Sequence, residues 1–222
     1  MSRPPDRLAR LARAHGLSGL LISFFTALHL VNQAAALGGP LAWSSFRALL
    51  RYLYQTPVYE TLLLGVPILF NVATGIWMAA RRDAARTVER QPAGMRSRLH
   101  RWAGLTLVAL LLLHVVTTRG LTLAWRVDPD FNFLAALLSG ARGAIWWLLY
   151  GLLVVAASFH LANGLFTLLD GMGAFPGRRA RAAAAGALIL VGVAMMVCGF
   201  IGLLSFGGVL YQRPRVETLP LD

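Results

Sequence analysis

The chain has 222 residues, 57% of them hydrophobic, with 21 basic against nine acidic side chains and a formal net charge of +12. Its mean hydropathy is +0.63. A soluble domain of this composition lacks the polar surface to cover itself, which leaves an integral membrane protein. The basic excess does not point to nucleic acid, because the arginines collect at the ends of apolar runs rather than as a stripe on one face; topology and anionic lipid account for them.

Residues 14–46, 61–80, 102–118, 143–169 and 182–212 are uncharged. Each holds the roughly 20 residues that cross a bilayer as a helix, except the third, which must run past Arg119 and let that side chain snorkel at a membrane surface. The first span, about 17–38, follows Arg3, Arg7, Arg10 and Arg13 and ends near Ala34, Ala35 and Ala36. Those features also suit a cleaved signal peptide, but the length of the run favours a retained helix. LAWSSFRALLRYLYQT comes next, with aromatic and leucine side chains on one face and Arg47 and Arg51 on the other, as for a helix lying in the interface. Spans two and three are expected at about 58–80 and 102–123. The 125–142 segment, with Asp128 and Asp130, reads as a polar loop, and spans four and five follow at about 145–169 and 182–206.

The fold class expected is an all-α integral membrane protein, a single domain over 1–222 with five transmembrane helices in a bundle. All the basic residues are arginine, and 14 fall on one side of these spans against seven on the other. The positive-inside rule then puts the N-terminus in the cytoplasm and the C-terminus outside. Cys198 is the only cysteine, so no internal disulfide, cysteine zinc cluster or iron–sulfur cage can form; it reads as a small apolar packing residue. Trp43, Trp102, Trp125, Trp146 and Trp147 fall at span ends and read as interfacial anchors.

The informative residues are the histidines, since an imidazole in hydrocarbon is costly unless something holds it. His29 lies 16 residues after Arg13 and His114 lies 13 after Arg101, which places both roughly 20–24 Å from the inner charges on different helices. His160, ten residues before Asp170, and Asn71, ten before Arg81, share a lower level at roughly 15 Å. Each of these two is followed four residues later by glycine, Gly164 and Gly75. A missing side chain there lets a flat macrocycle approach the backbone, although the same spacing also serves plain helix packing. Two neutral imidazoles facing each other across a bundle can ligate haem iron axially, and His29 with His114 is the pair that fits. Hydrogen bonds to a backbone carbonyl, or to a polar neighbour such as Asn32 or Thr118, are the alternative for both. Glu60, with Tyr54 and Tyr59 nearby, stands at the outer end of span two as a candidate proton relay or a plain helix-start carboxylate. Asp170 reads as a helix-end or partner contact.

Five spans, histidines in the first, third and fourth, and the stretch FHLANGLFTLLDGMGAF resemble the five-helix cytochrome b membrane anchor of succinate dehydrogenases and fumarate reductases. The resemblance implies one haem b held by histidines of spans one and three, matching His29 and His114. It implies a second held from spans two and four, matching Asn71 and His160. Asparagine at the first of these is a departure, because a carboxamide is a poor iron ligand. One haem is therefore expected and two remain open.

The resemblance further implies a flavoprotein and an iron–sulfur subunit on the cytoplasmic side, and a membrane quinone, menaquinone, as electron partner. It places the chain in the inner (cytoplasmic) membrane and in tricarboxylic acid cycle chemistry. No flavin or nicotinamide fingerprint is present, so the dicarboxylate reaction belongs to those partners. Two other readings stay open. One is a haem-free tether. The other is a stand-alone cytochrome b, or one like that of quinol–cytochrome c reductases, with two stacked haems: His15 precedes His29, and His100 precedes His114, by 14 residues, or roughly 21 Å. The stacked arrangement leaves His160 without a role, and His15 and His100 are expected at the inner interface beside Arg13 and Arg101.

Overall fold

The computed structural model describes residues 7–54, 57–80 and 94–212. These residues are almost entirely helical, with no strand among them. Helix α1 (Arg7–Ala34) ends in a 3-10 turn, Ala35–Gly38, which leads into α2 (Gly39–Tyr54). The chain bends here because Gly39 adopts φ +84, a conformation open to glycine, and a Cβ would strike the Tyr211 ring. Pro40 follows in the first turn of α2, where a missing N–H costs nothing.

Span two is built from α3 (Pro57–Glu60), a π-turn at Thr61–Gly65 and α4 (Val66–Ala80). Span three repeats that construction near its outer end, with α5 (Met95–Val115), a π-turn at Val116–Gly120 and α6 (Leu121–Trp125). After α7 (Phe131–Ser139), spans four and five are unbroken helices, α8 (Gly143–Gly171) and α9 (Arg178–Phe206). Five helical segments are long and apolar enough to cross a membrane, the first of them running through the bend from Ala9 to Tyr52. This agrees with the expected number of spans.

Span one packs on spans two, four and five, and span three packs on two and four. Spans one to four therefore form a ring in which one and three lie across one diagonal and two and four across the other. Burial around that ring is uneven. Close to half of the most apolar stretch of span four is buried, whereas none of that of span three is. Span five closes on spans one and four by glycines: a Cβ on Gly199 would meet Val154 and Leu30, and one on Gly202 would meet the Gln33 main chain. Small residues at this spacing let backbones approach where no hydrophobic force drives helices together in lipid. Leu30, Val154, Leu161 and Met195 fill the seam, and Cys198 packs beside them as expected.

Four expectations change. Helices of spans one and three begin earlier than 17 and 102, at Arg7 and Met95, so His15 and His100 stand within helices. The 125–142 segment is not simply a polar loop. Asp130 caps α7 by accepting from the Phe133 N–H at 2.8 Å, and α7 buries Phe131, Ala135 and Leu138. Trp43 is no interfacial anchor either: it is 4% exposed and packs edge-on against Phe131 and Phe206. Nor do the basic side chains of α2 stand on a face apart from its aromatics: Arg47 lies one turn after Trp43, 5.0 Å over its ring. Arg47 and Arg51 both pair with Asp128, which ties α2 to the segment after span three.

Arg3, the arginines from 81 to 90, those at 213 and 215, and the side chain of Tyr54 lie outside the described residues. The arginine asymmetry behind the expected orientation thus rests in part on the sequence alone.

Candidate functional site

The histidines occupy two layers. In the outer layer, His29 on α1 and His114 on α5 meet edge-on, their centroids 6.0 Å apart and their planes at 68°. A metal held between two imidazoles requires centroids about 6 Å apart, from two metal–nitrogen bonds of about 2 Å and a ring radius of about 1 Å at each end. The ring planes of two such ligands may take any angle about the axis, so 68° is acceptable.

Side chains around the pair fix its orientation. Trp43 donates its indole N–H to Gln33 Oε1 at 3.4 Å, which turns the Gln33 amide nitrogen toward His29 Nε2 at 3.3 Å. An amide N–H can only donate, so His29 Nε2 is the ring nitrogen with the lone pair; the Gln33 amide occupies it here, and an iron bound at that nitrogen would displace this bond. Phe25, one turn before His29, stacks on its ring at 5.8 Å. Tyr150 of span four meets the His114 ring edge-on at 5.8 Å. His114 Nδ1 is buried and has no hydrogen-bond partner among the described residues. The ring separation and the unpartnered His114 Nδ1 are the two observations that fit a bis-imidazole haem.

The alternative reading, a hydrogen bond from the ring to a polar neighbour, does form at His29, with Gln33 in place of Asn32 or Thr118. The Thr118 hydroxyl donates to the His114 main-chain carbonyl at 2.6 Å, and Asn32 Oδ1 is buried without a partner among the described residues. Gln33 was missed by sequence reasoning, although it lies one turn after His29 and i+4 side chains share a helix face.

The inner layer gathers more residues than the expected Asn71 and His160. Asn71 donates its amide to the His15 carbonyl at 2.9 Å and to Ser18 Oγ at 3.0 Å, so its nitrogen is engaged with span one. His160 Nδ1 lies 3.1 Å from the His100 carbonyl, an acceptor, and therefore donates. The His160 and His100 rings stack face to face at 4.1 Å with 1° between planes. His15 Nδ1 meets Thr74 Oγ1 at 2.8 Å.

Gly75 and Gly164 do give close approach, but to side chains of the next helix. A Cβ on Gly75 would lie 3.3 Å from His15, and one on Gly164 3.5 Å from His100. His15 and His100 are thus corrected from interfacial histidines to packed members of this layer. Among the described residues no three His, Cys, Asp or Glu side chains are gathered closely enough to hold a bare metal ion.

At the outer ends of spans two and three, Glu60 Oε2 accepts from Arg119 Nη2 at 2.6 Å. Glu60 immediately precedes one π-turn and Arg119 stands inside the other, so the pair links the two points where these helices unwind. Arg119, expected to snorkel alone, is bound to a carboxylate instead. At the inner end, Asp170 pairs with Arg181 at 2.6 Å and joins spans four and five as a helix-end contact. Arg96 donates to Asn163 and lies 4.2 Å from the Phe166 ring centroid.

No curated protein matches the chain. A family model does: that of the succinate dehydrogenase/fumarate reductase transmembrane subunit matches residues 78–201, more than half of the chain and all of spans three and four. His100, His114 and His160 lie inside this match, while His15, His29 and Asn71 precede it. With five membrane-length helices and more than half its length matched, the chain belongs to the family of succinate dehydrogenase/fumarate reductase transmembrane subunits.

Proposed function

We propose that this subunit is the cytochrome b anchor of a succinate:quinone oxidoreductase, passing electrons between a cytoplasmic iron–sulfur subunit and membrane quinone through a haem b held by His29 and His114. The observation that carries this reading is the 6.0 Å separation of those two rings across the bundle. When bound, such a haem supplies a one-electron carrier whose potential depends on its two imidazoles and their surroundings. The protein's own part is orientation and exclusion of water. Phe25 stacks on the His29 ring and sets its plane, while Gln33, braced by Trp43, holds the nitrogen that an iron would take over; Tyr150 and the main-chain bond from Thr118 confine His114.

Quinone chemistry needs protons as well as electrons. Glu60 is the acid–base group at the outer end of spans two and three, and Arg119 holds its carboxylate in place. The arginine-rich end, where Arg96, Arg178 and Arg181 stand, is the cytoplasmic surface on which the flavoprotein and iron–sulfur subunits dock. The N-terminus lies on that side of the inner membrane, and menaquinone is the quinone assigned.

A reduced-minus-oxidised absorbance spectrum of the purified complex tests the reading. A b-type signal is expected, accompanied by co-purifying flavin and iron–sulfur subunits. A haem-free protein that still binds those subunits identifies a tether, and a haem protein without them identifies a stand-alone cytochrome.

A further inference from the structure

Span four changes character along its exposed side. Ile145, Leu148, Leu152 and Val155 are exposed and follow one another at intervals of three or four residues, so they form one apolar stripe. The same spacing carries the stripe through Phe159 to Asn163, Phe166 and Asp170 at the inner end. There Asn163 and Phe166 are buried.

These three residues do not face the interior of the bundle. Around the same turns of span four, His160 and Gly164 meet His100 of span three, Leu168 meets Gly16 of span one, and Ala162 meets Gly192 of span five. Asn163, Phe166 and Asp170 occupy the side that remains, in the crevice between spans three and five.

Arginines from both walls of the crevice cover them. Arg96 of span three donates its Nε–H to Asn163 Oδ1 and sets its guanidinium 4.2 Å from the Phe166 ring centroid. Arg181 of span five lies 6.0 Å from the same centroid and pairs with Asp170 at 2.6 Å. Phe175 stacks on Phe166 at 5.7 Å. A guanidinium seated on an aromatic face and bonded through Nε has a fixed direction for its remaining donors.

Those donors are open. Among the described residues Arg96 Nη1 and Nη2 make no hydrogen bond, and the carboxylate of Asp170 is spent on Arg181. Arg178, three residues before Arg181, adds a further positive charge at the start of α9. The crevice therefore presents a rigid two-pronged donor with an excess of positive charge, which suits the oxygens of a phosphate.

The level of the crevice in the bundle says where that phosphate comes from. It stands at the inner end of the apolar stripe, and Leu99 and Trp102 are exposed on the wall contributed by span three. Acyl chains lying on such a surface carry their headgroup to the arginine level, and basic crevices between membrane helices hold anionic headgroups. We propose that Arg96, seated on Phe166 and flanked by Arg181, binds the phosphate of an anionic phospholipid whose chains lie along the exposed side of span four. Arg96 Nη1 and Nη2 donate to the phosphate oxygens, Asn163 and Phe166 position the guanidinium, and Asp170 holds Arg181 at the rim. The site lies outside the ring of spans one to four and does not depend on the haem reading.

The test titrates the purified, delipidated full-length complex with phosphatidylglycerol and counts lipid bound per chain by native mass spectrometry. One tight phosphatidylglycerol per chain is expected, with phosphatidylcholine bound more weakly. Arg96→Gln should weaken the tight step about tenfold, the loss of a charge-assisted pair of hydrogen bonds. Arg96→Lys keeps the charge but not the fork or the Nε bond, and should weaken it by less. Arg98→Gln removes the same charge from a different face of the same helix and should leave the step unchanged. Haem content and thermal midpoint report that each variant has folded. If Arg96→Gln fails to accumulate, Arg96→Lys and Phe166→Leu carry the test, both with weakened binding expected.

Equal affinity for phosphatidylcholine, an equal loss in Arg98→Gln, or unchanged binding in Arg96→Gln overturns the site. Inorganic phosphate that displaces the lipid at the same concentration reveals a bare anion site and overturns the lipid assignment. Loss of the soluble subunits from Arg96→Gln, with lipid binding intact, gives the fork to a partner's carboxylate and overturns it as well.

Discussion

The outer and inner layers use the same residue type in opposite ways. In the outer layer two rings meet edge-on at 6.0 Å, and their neighbours, Gln33, Phe25 and Tyr150, act on the rings themselves. In the inner layer each of three rings is seated on a glycine of the adjacent helix, and two rings touch at 4.1 Å. The difference teaches that depth in the bundle does not define a histidine's task. What surrounds its two nitrogens does.

The largest effect expected from breaking this contrast is at His114. His114→Ala should abolish the outer haem and lower succinate-driven quinone reduction more than tenfold, measured as haem content and turnover of the complex.

A glycine seat is the next lever. Gly104→Leu puts atoms where His160 lies 2.7 Å from a bare Cβ, so the ring must be displaced. Overpacking of this kind costs about 1–3 kcal/mol, and a fall in thermal midpoint should record it. Gly164→Ala, with 3.5 Å to His100, is ordinary contact and should leave the midpoint nearly unchanged. Equal effects at the two glycines would show that the seats are not tight.

Glu60→Gln tests whether the outer end of the ring carries chemistry of its own. It removes the charge that meets Arg119, and a several-fold loss of quinone turnover with unchanged haem content is the expected result. Unchanged turnover would reduce Glu60 to a tie between two π-turns. The smallest effect belongs to Trp43→Phe. Apolar packing is largely kept while the N–H to Gln33 is lost, worth about 1 kcal/mol, and a shift in the haem spectrum or potential rather than loss of haem should register the freed Gln33 amide beside His29.

Much of this arrangement is legible in the chain. Spans, their number and the levels of the histidines come from counting, because charged residues stop an apolar run and each helical residue advances a fixed 1.5 Å. The glycine four residues after Asn71 and after His160 is visible in the same way, and so, once sought, is the glycine after His15 and after His100. What each glycine faces is not visible. Gly75 reads equally well as a notch for a cofactor or for the neighbouring helix, and only the packed helices place His15 over it. Asn71 is similar: its amide is easily judged a poor ligand, but its bond to the His15 carbonyl joins residues 56 apart in the chain.

The sequence by itself determined a five-span membrane protein with arginines gathered at one face and imidazoles at two depths. Position along a helix axis is additive, so counting recovers it. The tertiary structure decided which helices lie across a diagonal, which nitrogens keep a lone pair, that Trp43 is buried, and that the segment after span three folds as α7 with one apolar face turned inward. Those facts depend on rotation about each axis and on the identity of the neighbour. Both are set by side-chain fit among helices distant in the chain, as at Gly199 against Val154 and Leu30, and no periodicity within one helix carries them.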